Sequence, residues 1–349
     1  MNIRNILMVA SLALSILIGL VIARGGSTAA GGDSNAPIIG LSLDTLKEAR
    51  WQADRDLFVK RAAELGAKVE VQSANSDDNQ QIRDVESLLT SGAKVIVIVP
   101  HDGVAMARAV EMAHKVGVPV ISYDRLIRDS EVDLYLSFDN VKVGEQQAQF
   151  LVSKLPNGKG RIVRVYGSQT DNNAKLFKQG QDNILNPLIK KGDIKVVRAD
   201  WAEDWKPENA KRIVNAAITD TGGNFDAILA SNDGTAGGAI QALTEAGAAK
   251  RVIVTGQDAE LAACQRIARG TQAMTIYKPL KVLATKAAEA AVSLAKGKPL
   301  IATETVNNGK IDVPSIFNPV YTVTKENLRS TVIKDGFHSE AEVFGKSAG

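Results

Sequence analysis

From Ile38 onward, short runs of β-branched residues alternate with amphipathic stretches of helical period, and the alternation runs through most of the chain. That rhythm leaves few folds open. Strand–helix–strand repeats build right-handed βαβ units around a parallel sheet. A first strand is predicted over 38–43. Asp44 or Thr45 can cap a helix reaching Leu65, with Leu46, Ala49, Leu57, Ala62 and Leu65 turned inward. A strand over 68–72 precedes a helix over 77–91, whose Ile82, Val85, Leu88 and Leu89 share a face and which Gly92 ends. Val95 to Val99 is apolar at every position, as a parallel strand covered on both faces must be. A helix over 103–116 leads to strands over 118–123 and 134–138.

A second series then repeats the first. Strands are predicted over 161–166, 195–199, 225–230, 252–255 and 273–277. Helices fall over 173–185, from Pro207 at a first helical position to 218, and over 235–246, 259–269 and 280–295. FDAILASND answers AKVIVIVPHD, and VIVTGQDA answers VPVISYDR. At 349 residues the chain has the length of two domains, and here both take one architecture.

In open α/β sheets ligands bind beyond the carboxyl ends of the strands. Polar and aromatic residues gather at those ends. Arg50, Trp51, Asp124 and Arg125 do so in the first half. Asp171, Asn173, Trp205, Asn232, Asp258 and Lys278 do so in the second. Carboxylates accept hydroxyl hydrogen bonds, guanidinium and ammonium groups donate them, and an indole face covers the C–H surface of a sugar ring. Each residue taken singly has a plainer use. Asp124 and Arg125 can pair at a strand end, a Trp can pack, and Asn232-Asp233-Gly234 can be a turn with a helix cap. Their common edge argues for a site. Trp205, just before Pro207, is expected as a platform in the open cleft. Asp124 and Asp258, as strand-end residues, are expected to matter little to fold stability.

Other classes of function find no support. Formal charge is +3, and +1 without Arg4 and Arg24, so no nucleic-acid partner is implied. The lone Cys264 excludes an intrachain disulfide framework, and Ala262, Ala263 and Ile267 around it suggest a buried thiol. His101, His114 and His338 have no metal-ligand spacing, and the chain has no P-loop, GxSxG or GxGxxG motif, so no metal, cofactor or catalytic residue is predicted. Ile6 to Ala23 is an uncharged run of 18 residues behind Arg4, followed by a Gly/Ala/Ser-rich spacer to Pro37. It is either a cleaved export signal or a retained membrane anchor, and the only predicted membrane contact is through 6–23. The expected location is periplasmic or extracytoplasmic.

Several stretches resemble the periplasmic sugar-binding proteins of bacterial ABC transporters, in the ribose- and galactose-binding group. They are RWQADRDLFVKRAAELGAKVEVQSAN (50–75), YDRLI (123–127), SFDNVKVGEQQA (137–148), DNNAKLF (171–177), WKPENA (205–210), ASNDGTAGGAIQAL (230–243), GQDAEL (256–261), GTQAMTIYKP (270–279) and VIKDGFH (332–338). RW, DNNAKLF, WKPENA and YKP together point to the branch that takes D-xylose. The resemblance implies a type 1 periplasmic binding protein: two doubly wound parallel-sheet α/β lobes that close on a pyranose about a three-crossing hinge. The crossings are expected near Asn140, Lys278 and Ile311. One lobe then comprises 36–140 with 279–311, the other 141–278 with 312–349, and 1–35 stands apart. By matching position the ligand contacts are Arg50, Trp51, Asp124, Arg125, Asp171, Asn173, Trp205, Asn232, Asp258 and Lys278. The implied protein is not an enzyme. It hands D-xylose or a close monosaccharide to an ABC permease, or reports it to a membrane sensor kinase. A related repressor would need a DNA-binding headpiece where this chain has an apolar run, and a sugar-processing enzyme would need activated groups.

Overall fold

The computed structural model describes residues 36–345, so the apolar run over 6–23 lies outside the described residues. In chain order, β1 (Ile38–Leu43), α1 (Ala49–Glu64), β2 (Lys68–Ser73), α2 (Asp78–Thr90), β3 (Val95–Val99), α3 (Ala107–Lys115), β4 (Val120–Tyr123) and β5 (Leu134–Phe138) form the first series. Next come α4 (Asn140–Lys154), β6 (Gly160–Tyr166), α5 (Asn172–Lys191), β7 (Ile194–Trp201), α6 (Pro207–Thr221), β8 (Ala227–Ala230), α7 (Asp233–Glu245), β9 (Ile253–Val254), α8 (Leu261–Arg269) and β10 (Thr275–Tyr277). The chain ends with α9 (Leu280–Ala295), β11 (Glu304–Asn307), β12 (Asp312–Asn318), β13 (Tyr321–Val323) and α10 (Glu340–Phe344).

One sheet runs β11-β12-β5-β4-β3-β1-β2 and another β7-β6-β8-β9. Counted within its own series, each half places its second strand outside its first and its third on the other side. The order reverses between first and third strand, and a crevice opens there. Every residue of β3 is buried, as its VIVIV run requires. Gln81 fastens the end of β3, donating to Val99 O at 2.8 Å.

The third crossing differs from expectation. β12 pairs in parallel with β5, Ser315 opposite Tyr135, and so belongs to the first sheet and not to the lobe assigned 312–349. The chain leaves that sheet after Asn318, and β13 then pairs with β10. DVPSIFN carries no clear alternation, and only its tertiary partner defines it as a strand. The first sheet is also not wholly parallel, because β11 runs antiparallel to β12 at its edge. Two helices depart locally. The first starts at Ala49, since the Asp44 carboxylate accepts from Arg125 Nη1 at 2.7 Å instead of capping. The helix expected to stop at Leu185 passes Pro187 and ends at Gly192, with φ +83°. Leu185, Leu188 and Ile189 pack on one apolar cluster, which outweighs the backbone bond proline removes.

Helices α4 and α5 meet backbone to backbone. A Cβ on Gly180 would overlap the carbonyl oxygen of Val141, and one on Gly144 the carbonyl oxygen of Phe177. Gly180→Ala should therefore destabilise the protein by about 3 kcal/mol, the upper end for overpacking. Thermal melting checks this, and an unchanged midpoint would mean the two helices can separate freely.

Candidate functional site

The two strands that precede the crevice end alike. After β4 the backbone turns through Asp124 at φ +61°, and after β9 through Asp258 at φ +96°. Left-handed conformations are uncommon for residues with a side chain, though Asp tolerates them better than most. The turns are held firmly. Asp124 N donates to Leu136 O at 2.7 Å, and Ser137 Oγ donates to Asp124 O at 2.6 Å. Asp258 N donates to Ile276 O at 2.8 Å. Each turn swings a carboxylate into the crevice.

Arginines bridge the halves there. Arg50, from the first turn of α1, donates to Asp124 Oδ2 at 2.8 Å and to Asp54 Oδ2 at 3.3 Å. Its Nη1 crosses to Asp258 Oδ1 at 3.1 Å, which Lys278 Nζ also approaches at 2.9 Å. Arg125 reaches Asp44 on its own side and Asp171 Oδ2, 2.9 Å away, on the other. Asn173 Nδ2 donates back to Asp124 Oδ1 at 3.0 Å. Trp51 lies under both guanidinium groups, with Arg50 Cζ 4.0 Å and Arg125 Cζ 5.2 Å from its ring centre. The Trp205 indole N–H donates to Asp171 Oδ2 at 3.2 Å, and its ring meets Phe177 edge to face. All of the residues selected from the sequence line one cavity of about 30 Å³. That is room for about two waters. A pyranose is several times larger, so access requires the halves to part.

A family model described as a periplasmic binding protein domain matches residues 39–299. The chain belongs to the periplasmic binding proteins. It is 49% identical over 305 residues to the D-xylose-binding periplasmic protein of Escherichia coli, covering 87% of this chain and 92% of that one. It is 34% identical over 321 residues to the multiple sugar-binding periplasmic receptor of Rhizobium radiobacter, covering 86% and 90%. Among solved structures, a carbohydrate transporter solute-binding protein from Chloroflexus aurantiacus in complex with D-glucose superposes with a TM-score of 0.81 at 37% identity, over 87% of this chain and 97% of that one.

The binding protein's cleft is crowded with compensated charge. Burial alone would raise the Asp124 pKa, but Arg50 and Lys278 outweigh it and hold the carboxyl below its ordinary value. Burial pushes Asp54 up to about 6 even with Arg50 beside it, and the Tyr123 hydroxyl donates to it. Burial also raises Asp171, with Arg125 opposing. Arg50 and Arg125 remain charged, because their carboxylate neighbours outweigh the desolvation that would lower them. Charges so thoroughly paired offer little to an ion and much to hydroxyl groups.

Asn232 has both of its possible roles. Its Oδ1 caps α7, accepting from Thr235 N at 2.8 Å, while among the described residues its Nδ2 donates to no protein group. Sequence reasoning missed Glu48, Phe177 and Gln257, which also line the cavity. Glu48 Oε2 and Gln257 Oε1 are buried without a hydrogen-bond partner among the described residues. Glu48 lies two residues before Arg50, and Gln257 directly precedes Asp258. Proximity was their only signal.

Proposed function

We propose that this protein binds D-xylose, or a close monosaccharide, between its lobes and delivers it unchanged to an ABC permease. The observation that carries this is a single cavity lined by every residue matched to the xylose branch. The 49% identity with a D-xylose-binding periplasmic protein supports the choice of sugar. The unspent capacity of the lining suits a polyol. Glu48 Oε2 and Gln257 Oε1 are acceptors and Asn232 Nδ2 a donor, so hydroxyl groups can serve all three. The carboxylates of Asp124 and Asp171 are held by arginine and asparagine groups, which fix their orientation toward a ligand.

Calorimetry with D-xylose, ribose, glucose and arabinose tests the reading. D-xylose should bind at micromolar affinity or tighter, about −8 kcal/mol or more, with the sugar recovered intact. Absence of heat with D-xylose, or tighter binding of ribose, would overturn it.

A further inference from the structure

His101 follows β3 at the edge of the cleft, and Gln81 Oε1 accepts from its backbone N–H at 2.9 Å. Its ring stands between two carboxylates on opposite lobes. Nδ1 lies 2.8 Å from Asp78 Oδ1, at the start of α2 on the same lobe. Nε2 lies 3.3 Å from Asp204 Oδ1, in the turn after β7 on the other. An ionised carboxylate can only accept, and a neutral imidazole carries one N–H. Both approaches are hydrogen bonds only when the ring is imidazolium. The residue held from across the cleft immediately precedes Trp205, and both sit at left-handed φ, +51° and +57°. Lys47, on the same lobe as His101, donates to the Asp204 carbonyl at 3.0 Å.

We propose that His101 is a positioning residue: as the imidazolium it clasps the Asp204–Trp205 turn from the opposite lobe, so that sugar binding tightens in acid. The proposal rests on the sugar-binding reading above for its ligand. It does not rest on it for the clasp.

Charged groups surround the ring from each packed element. Asp44 lies beyond β1 and Asp78 in α2, while Arg125 pairs with Asp44 and donates to Pro100 O. From the facing lobe come Asp204 and Lys206, whose Nζ is 2.8 Å from Asp204 Oδ2. Asp102 turns away to accept from Val104 N and Ala105 N. Burial opposes the charge on His101, but Asp44, Asp78 and Asp204 outweigh it and raise its pKa above the ordinary 6.5. Opening the lobes removes Asp204, so the open form titrates lower than the closed form. Closure therefore takes up a proton. Its contribution is whole below the open-form pKa and is lost as pH rises through the closed-form value. Sugar binding should therefore be weaker at about pH 8.5 than at about pH 6, by roughly 3- to 10-fold.

Three buried carboxyls also titrate in this range: Asp54, Asp233 and Glu260, which burial pushes up to about 6, about 7 and about 8. The measure is therefore the difference between wild type and His101→Gln, with Asp204→Asn as a second variant. Calorimetry with D-xylose should give all three proteins similar affinity at the higher pH, with both variants weaker than wild type at the lower. The same pH dependence in all three would overturn the clasp. A wild type that binds no sugar at any pH would instead sink the proposed function. The clasp would then be read from the lobes themselves. Small-angle scattering of the ligand-free wild type should show a more compact form at the lower pH than at the higher, with no such difference in His101→Gln. A wild type equally open at both would rule the clasp out.

Discussion

Asp258→Ala should lower the stability of the ligand-free protein by about 3–5 kcal/mol, and should also weaken sugar binding by more than about 100-fold. The carboxylate is buried and lies close to two cations, Arg50 Nη1 at 3.1 Å and Lys278 Nζ at 2.9 Å. Arg50 keeps Asp54 and Asp124 when Asp258 is gone. Lys278 keeps the faces of Phe138 and Phe177, 5.5 and 6.0 Å from its nitrogen, and the longer-range attraction of Asp124, but among the described residues no direct ion pair. A buried ammonium without a directly paired counter-charge is the larger cost, and alanine at φ +96° adds strain. The fall in melting temperature should be about 10 °C for a protein of this size. A position at a strand end suggested little effect on the fold, but burial and pairing reverse that expectation. The double variant Asp258→Ala, Lys278→Met separates the two effects. Removing both charges should restore most of the stability, because an apolar replacement for a buried pair is often neutral. Binding should stay lost. A single variant that melts with wild type would mean that Lys278 finds solvent in the ligand-free protein.

Trp205→Ala should cost about 3–5 kcal/mol in the absence of ligand, and binding should weaken as well. The indole is only 7% exposed, so it is not a platform in an open cleft as its loop position suggested. It packs with the main core cluster, meets Phe177 at a ring distance of 6.3 Å, and covers Gly167, where a Cβ would overlap the ring. The same ring lines the cavity and donates to Asp171. Trp205 is therefore both core and cavity wall. Alanine would leave a void and free an Asp171 acceptor, while relief of any left-handed strain at φ +57° would not occur, since alanine bears the same Cβ. Melting curves with and without sugar decide the matter. The ligand-free midpoint should fall by about 10 °C, and the ligand-induced rise should shrink, because only the native state binds. A ligand-free midpoint close to wild type would restore the open-platform reading.

The sequence by itself determined which edge of the molecule carries the cleft. Periods of two and of 3.6 residues are local properties, and their alternation forces parallel strands whose carboxyl ends lie together. Asp124 and Lys278 could be picked out because each directly follows a strand, Asn232 and Asp258 because each lies a few residues past one. The likeness of VPVISYDR to VIVTGQDA paired Asp124 with Asp258 before their matching left-handed turns were known. Tertiary structure decided the rest. Asp44 looked like a helix cap until Arg125 claimed it, and β12 had no periodicity of its own until β5 supplied a partner. Glu48 and Gln257 are distinguished only by the side of the cavity they reach. His101, one of three scattered histidines in the sequence, meets a carboxylate 103 positions away. Contacts of that kind depend on how two separately folded lobes meet, and no local pattern of residues records the orientation of one rigid body against another.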